Sequence, residues 1–426
     1  MDDTLMMSRF NILYEESSKF FIHNTLNGAI HEIDRATYEM CTNAQINSRN
    51  IKFMPDELIS NLMKIGYLVE PSNDIDSINQ LRYLKLQKSF QTERLTLVIA
   101  PTLFCNFACP YCYEKDLPNN TMSDEVIDDL IGFIKERQNS FKYLELCWHG
   151  GEPLVAIKTI EKILNRIKTD LTIEINRHSM VTNGYLINDD FFKCVSHTPL
   201  NYIQITIDGN EETHNQNRIS KSGRQTFHTI ISNIDNLIKK CPDTNIGIRM
   251  NAHKNNVNEF IPLYKTLSSR WNNAKVSIYP AFVMDNQSCK VPCFNSVEKT
   301  KFLYCLYQQI GKKFSAVDMK LKTGDCTAIY QNSFVVDPAG NLYKCWVDVG
   351  VESMSIGNLK TGTQNYKIVE KYLLSSDKFT DKKCLNCKVF PICSGGCNKY
   401  RMDEHYTTED ICPISADTII DFLKIE

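Results

Sequence analysis

Three cysteines in one short segment are the clearest indication of a chemical function in this chain, because their spacing predicts a metal site. Cys105, Cys109 and Cys112 follow the pattern C-x3-C-x2-C, and an aromatic residue precedes the last of them. Three thiolates on one loop can hold three irons of a 4Fe-4S cluster and leave the fourth iron without a protein ligand. An open metal position of this kind can bind and activate a small molecule. The spacing alone also allows a zinc site or a set of buried thiols.

Two neighbouring segments give this motif a family resemblance. The loop follows the apolar run Leu95–Ala100, and the sequence Gly-Gly-Glu-Pro at Gly150–Pro153 follows the strand-like run Tyr143–Trp148. With these segments the chain resembles the radical S-adenosylmethionine (SAM) enzymes. The resemblance implies that the open iron binds the amino and carboxylate groups of SAM, and that the reduced cluster cleaves SAM to a 5'-deoxyadenosyl radical. The glycine-rich segment favours this interpretation over zinc.

Seven further cysteines form a second pattern towards the C-terminus. Gly340 lies in the turn sequence Asp337–Asn341, between the short apolar runs Ser333–Val336 and Leu342–Cys345, and this predicts a β-hairpin. The hairpin would bring the first two of the seven cysteines together. A pair of zinc ribbons is the alternative interpretation. The seven are Cys326, Cys345, Cys384, Cys387, Cys393, Cys397 and Cys412.

This second pattern resembles the SPASM domain of some radical SAM enzymes, which carries two auxiliary 4Fe-4S clusters. The resemblance implies a proximal cluster on Cys326, Cys345 and Cys397. With the first motif, the chain is expected to hold three 4Fe-4S clusters, one of which binds SAM. The implied ligands of the distal cluster are Cys384, Cys387, Cys393 and Cys412.

The proximal set has no fourth ligand nearby in the sequence. Some relatives have a further cysteine where this chain has Asn332. Cys289, Cys293 or Cys305 could supply the fourth ligand, or the iron could stay open for a substrate thiolate or another donor. The sequence leaves these alternatives open.

Between the two cysteine sets, apolar runs alternate with helical patterns, which predicts βα units and a parallel sheet. The family resemblance adds the closure of six units into a partial TIM-like (β/α)6 barrel, so the expected fold class is α/β. The expected helices include Ser123–Glu136, Ile157–Thr169 and Thr226–Lys240. The expected strands are Leu95–Ala100, Tyr143–Trp148, Arg177–Thr182, Tyr202–Ile207, Asn245–Asn251 and Lys275–Tyr279.

Residues at the carboxyl ends of barrel strands face the active site in this architecture. The resemblance implies that the glycine-rich turn contacts the SAM amino group and that the end of the third strand contacts the ribose. Arg249 could pair with the SAM carboxylate, since a planar guanidinium suits that geometry. His214 and Arg218 lie in a loop that also resembles the family. Asn-Gly and Asp-Gly are ordinary turn formers, and a strand arginine is often only a salt-bridge partner. The cofactor-binding candidates are Gly150, Gly151, Glu152, Thr182, Asn183, Asp208 and Arg249.

Residues 1–80 are expected to form a winged-helix-like domain, because three short strands precede two helical stretches and the strand-like Gly66–Glu70. This domain resembles the peptide-recognition element of ribosomal-peptide maturases, which binds a leader peptide as an added strand. A structural cap is the alternative. The polar segment Pro71–Glu93 reads as a linker with a short helix, and residues 81–93 are assigned to the linker. The barrel is expected over residues 94–310 and the iron-sulfur domain over residues 311–426.

The composition limits the class of partner. The formal net charge of the 426 residues is -2, which predicts no nucleic-acid partner, and no basic block predicts a membrane surface. No long apolar run or signal peptide is visible, so a cytoplasmic location is expected. In that setting, 17 cysteines favour reduced thiols that serve metals.

The sequence therefore predicts a radical SAM/SPASM oxidoreductase that cross-links a ribosomally made precursor peptide carrying a leader. The second electron of the oxidation would pass to the proximal cluster, and an external donor such as flavodoxin or ferredoxin would supply the reducing electron. One alternative is formylglycine formation, as in the anaerobic sulfatase-maturating enzymes, for which Asp208 is the nominated catalytic base. A non-catalytic peptide-binding scaffold with structural metals is the other.

Overall fold

The computed structural model describes residues 5–284, 289–312, 314, 319–324 and 326–423. The contacts divide the chain into two compact units. The first contains residues 1–89, 295–326 and 374–426, and the second contains residues 90–294 and 327–373. These units follow packing, whereas the predicted domain limits follow motifs, so those limits stay predictions. No helix in the described ranges is long and apolar enough to cross a membrane.

The strands and helices alternate through the middle of the chain. The strands are β1 (Met6–Met7), β2 (Asn11–Glu16), β3 (Lys19–Asn24), β4 (Ile30–Ile33), β5 (Leu68–Val69), β6 (Arg94–Ile99), β7 (Tyr143–Trp148), β8 (Ile175–Thr182), β9 (Tyr202–Thr206), β10 (Asn245–Ala252), β11 (Val276–Phe282), β12 (Ser333–Val336), β13 (Asn341–Tyr343), β14 (Gly357–Asn358) and β15 (Gly362–Thr363). The helices are α1 (Arg35–Ile46), α2 (Asp56–Ile65), α3 (Pro71–Ser89), α4 (Asp124–Arg137), α5 (Ile157–Asp170), α6 (Asp189–Ser196), α7 (Glu211–Asn217), α8 (Phe227–Lys240), α9 (Phe260–Arg270), α10 (Ser296–Ile310), α11 (Tyr366–Glu370), α12 (Lys382–Leu385), α13 (Asn398–Arg401), α14 (Thr408–Ile411) and α15 (Ile420–Leu423).

A ten-stranded sheet forms the centre of the second unit. Its order is β11-β10-β9-β8-β7-β6-β12-β13-β14-β15. Strands β6 to β11 are parallel and lie side by side in chain order, with helices in the connections between them. Each of the six predicted strands is present. The α/β fold class and the partial-barrel arrangement are therefore confirmed.

The side chains of β7 explain how such a strand is held. Leu144, Leu146 and Trp148 are buried, whereas the alternate residues Tyr143 and Glu145 are only half-buried. Successive side chains of a strand point to opposite faces, so one face of β7 packs in the core and the other stays partly open. Because the six strands are parallel, their carboxyl ends lie together at one edge of the sheet.

The predicted hairpin is present as β12 and β13, which pair antiparallel. Asp337 holds the turn, because one carboxylate oxygen accepts the N–H groups of Ala339 and Asn341, both at 2.9 Å. Gly340 has φ +81°, a left-handed conformation that favours glycine. Strand β12 also pairs parallel with β6, so the hairpin extends the central sheet.

The first unit begins with the predicted three-stranded antiparallel sheet, in the order β2-β3-β4. Helices α1 and α2 follow, and β5 pairs antiparallel with β1. Apolar side chains from these elements, among them Ile22, Ala44 and Leu62, form a common core. This arrangement agrees with the winged-helix-like fold expected here.

The predicted linker region differs from the expectation. Pro71–Ser89 forms a 19-residue helix, α3, and not a short helix in a linker. Ile78 and Leu81 pack in one core cluster with Phe379 and Phe390 of the same unit. The Nζ atom of Lys85 lies 3.0 Å from a carboxylate oxygen of Asp377. The polar composition concealed the helix because only two of its apolar residues, Ile78 and Leu81, are buried, and the partners that bury them lie about 300 positions away in the sequence.

Candidate active site

The three motif cysteines lie on the loop between β6 and α4. Cys109 is buried, and Cys105 and Cys112 are half-buried. Burial raises the pKa of Cys105 to about 12 and that of Cys112 to about 11, and the negative charge of Cys109 raises both further. Cys109 therefore lies within electrostatic reach of the other two thiols. A bound metal favours the thiolate and would offset the cost of ionising these thiols.

The glycine-rich turn after β7 packs directly against this loop. A Cβ atom on Gly151 would lie 2.4 Å from the carbonyl oxygen of Leu103 and 2.5 Å from that of Phe104. A Cβ atom on Gly150 would lie 2.5 Å from the carbonyl oxygen of Thr102, and Gly150 has φ +109°. The two glycines are therefore required for the backbone of the turn to approach the backbone of the cysteine loop.

Glu152 faces the protein interior, with a fractional exposure of 1%. One carboxylate oxygen accepts hydrogen bonds from Leu154 N (3.0 Å) and Thr182 Oγ1 (2.7 Å), and the other accepts one from Asn183 N (2.7 Å). Burial raises the pKa of Glu152, and these hydrogen bonds oppose the shift. The carboxylate thus ties the ends of β7 and β8 together, which leaves the backbone of the turn as the part that can reach a ligand.

Asn183 connects the end of β8 to the cysteine loop. Its Nδ2 donates to Asn106 Oδ1 at 2.7 Å, and its Oδ1 accepts the N–H of Tyr185 at 2.9 Å. Thr182 and Asn183 are each 4% exposed. Both predicted ribose contacts therefore lie beside the loop, with their side chains bonded within the protein.

Asp208 lies at the carboxyl end of β9 and is fully buried. Its Oδ2 accepts a hydrogen bond from the hydroxyl of Tyr111, and its Oδ1 accepts the N–H of Asn251 at 2.8 Å. Asn251 Nδ2 in turn donates to the Tyr111 hydroxyl at 3.2 Å. Burial raises the pKa of Asp208, and the nearby Arg218 lowers it. Asp208 therefore joins two strand ends to the cysteine loop.

Two arginines face the same region. Arg218 Nη1 donates to the Tyr111 hydroxyl at 3.3 Å, and the positive charge of Arg218 lowers the pKa of each of the three motif thiols against the effect of burial. Arg218 Nε is buried and has no hydrogen-bond partner in the described part of the chain. An orphaned donor beside three thiols fits an anionic group at this position.

Arg249 extends from β10 towards the glycine-rich turn. Its Nε donates to Asn251 Oδ1 at 2.8 Å, and its two terminal nitrogens make no hydrogen bond within the described residues. Burial lowers the pKa of His149, next to the turn, to about 4, and the charge of Arg249 lowers it further. A guanidinium with free terminal nitrogens near the turn can take a carboxylate in a bidentate geometry.

These residues fit the groups that the motif implies. The three thiols would hold the irons, and Arg249 and the backbone of the turn would meet the polar ends of SAM. Among the described residues, no three His, Cys, Asp or Glu side chains are spaced to hold a single metal ion. A cubane differs from such a site because its thiolates bind different irons.

Four of the C-terminal cysteines also lie close together. Burial raises the pKa of Cys412 to about 12, and the negative charges of Cys393, Cys384 and Cys387 raise it further. These are the four cysteines of the expected distal cluster, and all of them belong to the first unit.

The expected proximal cysteines are divided between the two units. Cys345 follows β13 in the second unit and acts electrostatically on Tyr113, next to the motif cysteine Cys112. Cys326 is exposed and Cys397 precedes α13, both in the first unit. Their grouping into one cluster stays a prediction.

The alternatives for a fourth proximal ligand can be placed. Cys289 and Cys293 lie side by side in the second unit, with their Sγ atoms 3.8 Å apart. Cys305 Sγ accepts a hydrogen bond from Gln309 Nε2 at 3.1 Å within α10. Asn332, at the position where some relatives have cysteine, donates through Nδ2 to the carbonyl of Thr92 at 3.2 Å.

Three site residues were missed from the sequence. Tyr111 lies inside the cysteine motif, where its aromatic character drew notice but its hydroxyl did not. Asn106 lies in the same loop, and Asn251 was noted only as a strand end. Their positions, in the cysteine loop or at a strand end, could have indicated a role in the site. Their hydrogen-bond partners could not be predicted, because those partners are distant in the sequence.

Comparison with known proteins shows similarity to one family over part of the chain. A profile described as the Radical SAM superfamily matches residues 99–267. The chain is 25% identical over 337 residues to the cysteine-type anaerobic sulfatase-maturating enzyme of Clostridium novyi (strain NT), which covers 72% of this chain and 88% of that enzyme. It is 22% identical to the radical SAM cyclopropyl synthase TigE of Paramaledivibacter caminithermalis over an alignment of 442 positions. This alignment covers 92% of this chain and 89% of TigE.

A solved structure gives the same architecture over almost the whole chain. Streptococcus suis SuiB bound to the precursor peptide SuiA aligns with a TM-score of 0.54 and 15% identity, over 97% of this chain and 99% of SuiB. At this identity, the likeness concerns the fold.

Proposed function

We propose that this chain, a radical SAM enzyme, takes a hydrogen atom from a side chain of a ribosomally made precursor peptide and closes a cross-link within that peptide. The main support for this proposal is that the three motif thiols, the tight glycine-rich turn and Arg249 lie together at one end of the sheet. When bound, SAM and its cluster would supply the 5'-deoxyadenosyl radical, and an auxiliary cluster would accept the second electron.

The overall change in the peptide is the loss of two hydrogens. One C–H bond and one X–H bond break, where X is sulfur or another side-chain atom, and one C–X bond forms. One hydrogen leaves as an atom, and the second leaves as a proton and an electron. The proposal therefore includes three 4Fe-4S clusters and an external donor, such as flavodoxin or ferredoxin, for the reducing electron.

The contribution of this chain is mainly position. A primary radical takes the hydrogen that is held closest to it, so orientation decides the product. Glu152 uses both carboxylate oxygens to join the ends of β7 and β8. Asp208 uses both of its oxygens to join two strand ends to the cysteine loop. In this proposal, both carboxylates hold the loop, the turn and Arg249 in fixed positions relative to one another, and neither transfers a proton.

The precursor peptide would be recruited through the N-terminal three-stranded sheet. Strand β4 forms one edge of this sheet, and its central residues His31 and Glu32 are exposed. An exposed edge offers unpaired backbone groups to an added strand. The likeness in fold to SuiB bound to its precursor peptide, which covers 97% of this chain, supports a peptide substrate.

The second candidate is formylglycine formation, which the similarity to the Clostridium novyi enzyme favours. That reaction needs a base for the second proton, and Asp208 is the nominated residue. Both of its oxygens already accept hydrogen bonds from Tyr111 and Asn251. Asp208 is also fully buried, so it is poorly placed to take a proton from a peptide, and we favour the cross-link.

The test is anaerobic co-expression with a short peptide encoded beside the gene. The wild-type enzyme is compared with a variant in which Cys105, Cys109 and Cys112 are replaced by alanine. A peptide that loses two hydrogens only with the wild type, and that does not react with an aldehyde probe, supports the cross-link. An aldehyde-reactive product would support formylglycine, and an unchanged peptide would contradict the proposal.

A further inference from the structure

Arg401 lies directly beside the expected distal cluster. Its side chain is 6% exposed, and Nη2 points to the sulfur of Cys384 at 3.1 Å. The charge of Arg401 lowers the pKa of Cys384 against the effect of burial. A buried cation therefore donates to one of the four grouped thiols.

The position of Arg401 is fixed by its other donors. Nη1 donates to Asp381 Oδ2 at 2.6 Å, and Nε and Nη2 donate to the carbonyl of Gly395 at 2.9 and 2.6 Å. Asp381 is held in turn, because its other oxygen accepts the N–H groups of Lys383 (2.8 Å) and Cys384 (3.2 Å). The guanidinium and the thiol are therefore positioned by one connected set of bonds.

A second buried cation lies in the same region. Lys378 is 2% exposed, and its Nζ donates to the carbonyls of Lys322 (2.7 Å), Phe390 (2.7 Å) and Cys393 (2.8 Å). Three acceptors around one nitrogen require all three hydrogens of an ammonium group. Its hydrogen-bond acceptors are all neutral carbonyls.

Buried positive charge next to an iron-sulfur cluster has a predictable effect. A cluster with four thiolate ligands is an anion and gains one more negative charge on reduction. Its reduction potential depends on nearby charge, on hydrogen bonds to its sulfurs and on solvent exposure. A cation and an N–H···S bond both favour the reduced state, and burial limits the screening of their charge by water.

We propose that Arg401, supported by Lys378, is a positioning residue that raises the reduction potential of the distal cluster. This inference rests on the cluster assignment made with the proposed function. The distal cluster would then hold an electron more readily than it would without Arg401. It would act as the electron store of the first unit.

The test measures reduction potentials by EPR-monitored titration with dithionite. The Cys105/Cys109/Cys112→Ala variant is the background, because its remaining signals come from the auxiliary clusters. We expect Arg401→Met to reduce the equilibrium constant for reduction of one cluster at least tenfold, a shift of about 59 mV for one electron. Arg401→Lys, which keeps the charge, should give a smaller shift.

The chain offers a matched control in Lys383, a cation of the same segment. Its side chain is 65% exposed and lies 2.6 Å from Glu409. Its exposed charge is screened by water, so Lys383→Met should shift the potential much less than Arg401→Met does. Lys378→Met is the second probe of the inference if Arg401→Met loses the cluster, and it should also lower the potential.

Iron and sulfide content separates the two possible failures. If the background protein contains no auxiliary cluster, the cluster assignment fails. If Arg401→Met keeps both auxiliary clusters and lowers no potential, the inference about Arg401 is overturned. If Arg401→Met loses a cluster, an unchanged potential in Lys378→Met overturns it.

Discussion

The imidazole of His149 is stacked on the indole of Trp346, with ring centroids 5.0 Å apart and ring planes at 1°. His149 immediately precedes the glycine-rich turn, and Trp346 immediately follows Cys345. The hydroxyl of Tyr113 lies 3.4 Å from His149 Nε2. Three aromatic rings therefore connect the cysteine loop to Cys345 within the second unit.

Replacement of Trp346 by leucine should uncouple SAM cleavage from peptide modification. The stack positions Cys345 relative to the cysteine loop, so its loss should slow electron removal from the peptide more than it slows SAM cleavage. We expect the ratio of modified peptide to 5'-deoxyadenosine to fall about tenfold, equivalent to about 1.4 kcal/mol in a barrier. Trp346→Phe, which keeps a ring, should retain most of the coupling. Equal ratios in all three proteins would contradict this role.

Replacement of Gly151 by alanine should remove the SAM-binding cluster. The added Cβ would meet two backbone oxygens of the cysteine loop at 2.4 and 2.5 Å, and backbone atoms cannot move aside cheaply. We expect the iron content to fall by one cluster while the auxiliary clusters remain.

Gly132 in α4 provides the control for that substitution. A Cβ atom there would meet no atom within 4 Å. Gly132→Ala should therefore keep all the iron and stabilise the protein by about 0.5–1 kcal/mol, since alanine is preferred to glycine inside a helix. Normal iron and SAM cleavage in Gly151→Ala would contradict the tight approach of turn and loop.

Strand β4 should be the edge that binds the leader peptide. The N–H of Asn24 donates to the carbonyl of Ala29 at 2.9 Å, so by strand alternation the N–H of Glu32 points away from β3. Proline at position 32 would remove that outward donor and is tolerated at a free edge. We expect Glu32→Pro to weaken leader binding at least tenfold in a fluorescence anisotropy titration, and Glu32→Ala to weaken it less.

The opposite edge of the same sheet gives the control. Glu15 of β2 is exposed and its N–H also points outward by the same alternation. The side chain of Gln45 covers part of this edge, because its Nε2 donates to the carbonyl of Asn11. Glu15→Pro should leave leader affinity unchanged. Equal losses from the two proline variants would exclude β4 as the specific site.

Because of His178, the free energy of unfolding should be lower in mild acid than at neutral pH. Its Nε2 accepts the indole N–H of Trp148 at 2.6 Å, and its Nδ1 lies 2.9 Å from the carbonyl of Thr198. Burial lowers the pKa of His178 from 6.5 to about 4. Below pH 6.5 the unfolded chain binds this proton and the folded chain does not, so the free energy of unfolding falls as the pH decreases.

The expected loss is about 2 kcal/mol between pH 7 and 5. His178→Gln should lower the overall stability but reduce this pH dependence, as measured by denaturant unfolding under anaerobic conditions. His228→Gln is the control, because His228 is an exposed histidine, with 74% of its side chain accessible. An unchanged slope in His178→Gln would show that other groups carry the acid sensitivity.

The sequence predicted what depends on local pattern. The six parallel strands, the hairpin around Gly340 and the three-stranded N-terminal sheet follow from alternation and turn residues close together in the chain. The inward position of Glu152 and the Tyr111–Asp208 bond could not be predicted, since each depends on partners 30 to 97 residues apart. Likewise, α3 is stabilised by packing against the C-terminal segment. The role of Arg401 could not be predicted either, because its partners come together only in the folded chain.

The mass of the co-expressed peptide after anaerobic incubation with the enzyme, SAM and a reductant decides whether the enzyme forms a cross-link. We expect a product lighter by two hydrogens, with fragmentation that locates one new bond between two side chains. The Cys105/Cys109/Cys112→Ala variant should leave the mass unchanged. A wild-type enzyme that cleaves SAM in the presence of the peptide and leaves the peptide unmodified would contradict the account.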